Sequence, residues 1–257
     1  MAKKWDILVS DFRRLGGIAD NICQKEGKNG RGIFPINPLE KSKIYTPSEL
    51  LVKKEEIYLE KGNLRIKKNN KYTREIRQFF NYYQDNFSWG GGGREITETF
   101  ESGLSLFPSE LKRLIKRNFL VDIEERQKGD WEEVIKNQFL NSREVNFGKI
   151  SVIAPIWELV NHEVTALPFI RRSHGISSPN YAPKETELTF SYGFKSPLMR
   201  VLNYGFFCKE TLIFSIPFNI ELNDYGLQLI CKGLELKDDK MLFKRLGSKI
   251  IIDGLPI

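Results

Sequence analysis

The 257-residue chain is poor in the side chains that build metal centres and disulfides, with only three cysteines and two histidines. Cys23, Cys208 and Cys231 are too few and too scattered for a disulfide framework or a four-cysteine zinc site, so they read as reduced packing residues. His162 and His174 alone cannot make a histidine-rich centre, which leaves only a carboxylate-led Mg or Ca site open on composition, and no metal is expected. Long apolar runs are missing too. The best stretches, residues 150–160 and 212–220, are broken by Pro, Glu or Asn well short of the roughly 18 residues a membrane helix needs. No apolar segment separates Lys3 and Lys4 from Asp6, Asp11, Arg13 and Arg14, so we expect no secretory signal and a cytoplasmic location.

What is present is the composition of a folded protein: 40% hydrophobic and 28% charged residues, which excludes a disordered or collagen-like chain. Forty Lys and Arg against 33 Asp and Glu give a net charge of +7, which favours acidic partners, nucleic acid included. The basic residues are interleaved with glutamates, however, so the basic face Lys112, Arg113, Lys116 and Arg117 reads first as solvated and a nucleic-acid partner is disfavoured.

Periodicity predicts a first helix over residues 5–15, with Ile7, Leu8, Phe12 and Leu15 on one side and Gly16-Gly17 ending it. Short strands are expected at 18–22, 32–36 and 43–45, divided by Gly27, Gly30, Pro35, Pro38 and Pro47. Bulky residues Ile76, Phe79, Phe80 and Tyr83 predict a helix over 72–87, and the four glycines 90–93 read as a mobile loop. Helices are expected after Pro108 and from an N-cap at Asp130 to residue 140, and a brief one over 197–204. Strands are expected at 151–153, 165–171, 187–191, 212–216, 220–230 and 249–252. This order predicts an α+β fold, with a helical block inserted between β-rich ends that share one β structure.

Three segments carry chemical interest. Asn29-Gly30-Arg31-Gly32 places two glycines at the entry to a strand, where a ligand could approach the backbone. Ala154-Pro155-Ile156-Trp157-Glu158-Leu159-Val160-Asn161-His162 is an apolar segment ending in a polar pair that must be hydrogen-bonded if buried. Glu187-Leu188-Thr189-Phe190-Ser191-Tyr192-Gly193 is an alternating strand followed by Tyr204-Gly205-Phe206. Each taken alone is as readily a turn, a satisfied core pair or packing.

In this order the three segments resemble the signature motifs of SET-domain methyltransferases. Residues 155–162, with 190–196 and 204–206, resemble more narrowly the branch of the Rubisco large-subunit lysine methyltransferases and the actin-histidine methyltransferase. The resemblance covers roughly residues 5–210. It implies a β-rich, knot-like SET core of short strands in two parts, residues 1–71 and 149–207, around a helical insert at 72–148, with a short β-rich extension at 208–257. It also implies S-adenosylmethionine (SAM) as cofactor and a protein or peptide as substrate, methylated on a side-chain nitrogen, lysine first.

Residue by residue, the resemblance implies that Asn29, Gly30 and Arg31 cradle the methionine part of SAM and that Arg143 contacts its carboxylate. Asn161 and His162 would hold the amino group and adenine. Tyr192 would be the catalytic tyrosine, with Trp157, Tyr204 and Phe206 lining the substrate channel. A lysine acceptor needs about 4 kcal/mol to deprotonate at neutral pH, which an aromatic channel beside a cationic sulfonium lowers; a histidine acceptor nearly escapes that cost. The sequence departs from the family pattern after the polar pair, where Glu163-Val164-Thr165-Ala166 lacks a Cys and a second Asn, and at Pro183-Lys184-Glu185-Thr186, which lacks a Gly. Two other readings remain: a degenerate SET module that binds a protein partner without turnover, and a basic nucleic-acid binder.

Overall fold

The structure, a computed structural model, describes residues 2–28, 30–68, 71–93, 107–119, 129–179, 181, 186–192, 197–204, 213–214, 218–222, 227–231, 243–252 and 255–256. The fold is α+β, with short strands gathered in several small sheets. The chain divides into two compact units, one of Met1–Thr97 with Ile135–Ser191 and the other of Glu98–Val134 with Tyr192–Ile257.

In the first unit the helix Ala2–Arg14 lies on the helix Arg74–Asn86, and their apolar stripes meet as aromatic pairs. Phe12 stacks on Phe79 at 5.9 Å and Trp5 meets Phe87 edge-on at 5.6 Å. The first helix ends as its sequence demands, with Gly16 in the left-handed region at φ 91°. Thr73 caps the second, its hydroxyl accepting from the Ile76 backbone N–H at 3.3 Å.

Around these helices run a four-stranded antiparallel sheet in the order Ile18–Asp20, Lys43–Pro47, Gly175–Ser177, Ile170–Arg172, and a three-stranded one in the order Val52–Lys53, Ile150–Ile153, Glu144–Phe147. Two hairpins complete the unit, Ile22–Gly27 with Gly30–Pro35 and Ile57–Glu60 with Asn63–Ile66. The second hairpin falls in a stretch where no strand was expected. It turns through Lys61 and Gly62, both at positive φ (51° and 74°), the geometry of a tight type I′ turn.

In the second unit a four-stranded sheet runs in the order Phe218–Leu222, Leu227–Cys231, Lys249–Ile252, Phe243–Leu246, and Ile213–Phe214 pairs with Leu255–Pro256. The unit also holds the helices Ser109–Phe119 and Pro197–Tyr204. The expectation that both ends of the chain share one β structure holds for Lys43–Pro47 and Val52–Lys53, which pair with Gly175–Ser177 and Ile150–Ile153, and is corrected for the last part, since among the described residues the strands after residue 213 pair with one another. The expected strand at 165–171 is likewise shorter and later, Ile170–Arg172.

The helix Trp131–Arg143 starts as its sequence predicts, with the Asp130 carboxylate accepting from the Glu132 N–H at 2.8 Å. The four glycines do not form a loop without structure: Trp89–Gly93 is a single π-helical turn, set off from the preceding helix by Phe87 and Ser88. Glycine is required there because a Cβ on Gly91 would lie 2.6 Å from the Asn86 carbonyl oxygen and 2.8 Å from Arg31 Nη1. No helix among the described residues is long and apolar enough to cross a membrane.

Candidate functional site

In the first unit, segments far apart in sequence are stitched together by residues 187–190. The Leu188 N–H donates to the Ile33 carbonyl at 2.8 Å, and the next two residues run parallel to the polar pair, Thr189 beside Asn161 and Phe190 beside His162. The Asn161 side-chain amide closes the stitch, donating to the Arg31 carbonyl at 3.0 Å and to Glu187 Oε1 at 2.6 Å. Gly32 is what makes room, since a Cβ there would collide with the Glu187 carboxylate. Asn161 and His162 are half-buried, so the pair stands at the edge of the core.

The turn before the polar pair is strained. Ile156 sits at φ 71°, a conformation costing a β-branched residue about 1–3 kcal/mol, and its N–H is anchored on the buried Tyr83 hydroxyl at 3.1 Å. The strain turns the following 3-10 segment, Trp157–Leu159, into the core. There the Glu158 carboxyl is buried among Tyr83, Gln84 and Ser88, with the Gln84 amide at 3.4 Å. Burial pushes this carboxyl above its ordinary value, opposed first by the charge of Arg143.

Arg143, the last residue of its helix, donates from Nη1 to the Glu158 carbonyl at 2.7 Å and lies over the Phe139 ring at 5.3 Å. Arg31 donates from Nη1 to the Phe87 carbonyl at 3.2 Å and passes over Gly91. Burial, and after it the charge of Arg143, lowers the Arg31 guanidinium below its usual value. Two guanidiniums near enough to repel, each with N–H donors beyond the one spent on a carbonyl, form a donor set suited to a carboxylate. Trp157 is fully buried, its ring packed near Phe169 (6.0 Å) and Phe190 (5.7 Å), and its indole N–H has no hydrogen-bond acceptor among the described residues.

The structure therefore brings together Arg31, Arg143, Trp157, Asn161 and His162 in one unit, with Gly30 opening the strand that carries Arg31. Tyr192 and Tyr204 belong to the other unit, where their rings lie 5.1 Å apart at 51°. Asn29 and Phe206 lie outside the described residues. Sequence reasoning missed Tyr83, Glu158 and Glu187 as site residues. Glu158 had a usable signal, a carboxylate within an otherwise apolar run; Glu187 stood inside a segment already singled out but was not given a role, and Tyr83 read only as one of a helix's packing residues.

No family model matches the chain, and no curated protein matches it. Among solved structures, the chain is similar to Rubisco LSMT bound to AdoMet, at a TM-score of 0.48 and 12% identity over 86% of this chain and 61% of that one. It is also similar to Rubisco LSMT bound to sinefungin and monomethyllysine, at 0.49 and 13% identity over 87% and 61% of the two chains. A third is the SET domain of LSMT bound to lysine and AdoHcy, at 0.45 and 11% identity over 87% and 62%. The chain spans about three fifths of the length of the structures it matches.

Proposed function

We propose that the protein is a SAM-dependent methyltransferase of the SET type acting on a protein side-chain nitrogen, lysine first. The observation that carries this reading is the Asn161 amide joining Arg31 to Glu187, which puts the Gly-x-Gly strand, the Asn-His pair and the Glu-Leu-x-Phe strand into one cluster as the motif resemblance requires. The donor set fits the cofactor. Arg143, with Arg31 beside it, would hold the SAM carboxylate, and an anion there relieves the repulsion between the two guanidiniums. Asn161 and His162 would present their backbone to the amino group and adenine.

When bound, SAM would supply an activated methyl group to a side-chain nitrogen that has already released its proton to solvent. The chain's own task is then positioning and desolvation, worth several kcal/mol. Tyr192, two residues beyond Phe190 in sequence, would orient the acceptor nitrogen through its hydroxyl, with Tyr204 beside it as an aromatic wall. Cytoplasmic residence and a protein or peptide partner belong to the same reading.

Incubation with methyl-labelled SAM and a cell lysate tests it. The wild type is expected to label protein and Tyr192→Phe to label it at least about 100-fold more slowly while binding SAM as before. Equal labelling by both, or none by the wild type despite SAM binding, would overturn the catalytic assignment; the second outcome would favour a binding module without turnover.

A further inference from the structure

The π-helical turn Trp89–Gly93 touches the supports of both guanidiniums in the candidate site. Arg31 rests against it directly: its Nη1 donates to the Phe87 carbonyl at 3.2 Å and lies so close to Gly91 that a Cβ there would stand 2.8 Å from it. Arg143 reaches it through one ring. Its guanidinium lies over Phe139 at 5.3 Å, and Phe139 meets the Trp89 indole edge-to-face at 5.2 Å, with the ring planes 84° apart.

Trp89 is held more firmly than core filling requires. It is buried, and its indole N–H donates to the Gly62 carbonyl at 2.9 Å, at the tip of the hairpin Ile57–Glu60 with Asn63–Ile66. That hairpin is fastened a second time, because Arg65 donates through both terminal nitrogens to the Asp85 carboxylate at 2.9 and 3.1 Å. The indole is therefore fixed in rotation as well as in place, and with it the Phe139 ring on which Arg143 lies. A phenylalanine or leucine would fill much of the same volume without that hydrogen bond.

Two guanidiniums that repel one another keep a carboxylate's width between them only if their supports are rigid. We propose that Trp89 is a positioning residue for the cofactor carboxylate: through Phe139 it orients Arg143, while the glycines after it bring the same turn against Arg31, so that one turn sets the spacing of the pair. The role presupposes the SAM site proposed above. A single π-helical turn is a rare element that recurs at functional sites, and here its glycines allow the close approach that any side chain would block.

Calorimetric titration of S-adenosylhomocysteine and of methylthioadenosine into the full chain tests it. The second ligand keeps the adenosine and the thioether but lacks the carboxylate and the amino group. In Trp89→Phe, which keeps a buried ring and loses the donation to Gly62, binding of S-adenosylhomocysteine should weaken at least about fivefold while that of methylthioadenosine stays within about twofold of the wild type. Phe139→Leu should reproduce the selective loss, and adding Trp89→Phe to it should weaken binding little further, because both act along one path to Arg143. A residue that only stabilised the fold would lower the melting temperature and weaken both ligands alike or neither. Unchanged affinity for S-adenosylhomocysteine in Trp89→Phe, or equal weakening of both ligands, would overturn the positioning role while leaving SAM binding in place. Failure of the folded wild type to bind either ligand would overturn the SAM site and this role with it, so the two failures are told apart.

Discussion

The side-chain amide of Asn161 donates to the backbone carbonyl of Arg31, 130 residues earlier in the chain, at 3.0 Å, and the same nitrogen donates to the Glu187 carboxylate at 2.6 Å. One side chain thus fastens three segments. Asn161→Ala should cost about 1–3 kcal/mol, because it loses two hydrogen bonds, one of them to a half-buried carboxylate. Asn161→Asp is the sharper variant. It sets one carboxylate against another, so one of the pair has its folded pKa raised, and the associated stability is present at acid pH and lost as pH rises through that value. Urea denaturation at neutral pH should rank Asp below Ala, with the order closing or reversing toward about pH 4.

Gly32 is needed because of Glu187, and the pair predicts its own suppressor. Gly32→Ala drives a methyl group into the Glu187 carboxylate and should cost about 1–3 kcal/mol. Adding Glu187→Ala removes the obstacle, so the double variant should be markedly more stable than the sum of the two single losses. Additive losses in this double-mutant cycle would show that the two residues do not meet.

Glu158 makes a prediction in pH. Burial raises its carboxyl, so the folded chain keeps a proton at pH values where the unfolded chain has released it. Stability is then full below the ordinary glutamate value, about 4.3, and declines as pH rises through the higher folded value. Glu158→Gln is neutral throughout that window while its amide oxygen can still accept from Gln84. The unfolding free energy of the wild type should therefore fall more steeply from about pH 4 to 7 than that of the variant, by at most about 1.4 kcal/mol per pH unit for one proton. Parallel profiles would mean that Glu158 titrates as it would in water.

The parts of the fold readable in the sequence are those fixed by local chemistry. Asp130 announces its helix through the donors it caps, and the helix Pro197–Tyr204 occupies the span its proline and apolar spacing predict. The hairpin at 57–66 was hidden because its turn is Lys61-Gly62, without the Asn or Asp that usually marks such a turn, and its strands bury only part of one face. The glycine run misled for the opposite reason: its flexibility serves close packing under Arg31, a contact between residues 60 positions apart. In the candidate site, Arg31, Arg143, Asn161 and His162 were legible through ordered motifs, whereas the work of Tyr83 and Glu187 depends on neighbours that only folding supplies.

In the proposed site the Arg31–Arg143 pair would hold the cofactor carboxylate beside Asn161. Calorimetric titration of S-adenosylhomocysteine into the wild type and into Arg143→Met, a change that keeps much of the packing on Phe139, tests this without any substrate. We predict saturable binding by the wild type and a loss of at least about 30-fold, roughly 2 kcal/mol, in the variant at an unchanged melting temperature. Equal affinity for both proteins, or no binding by the folded wild type, would contradict the account.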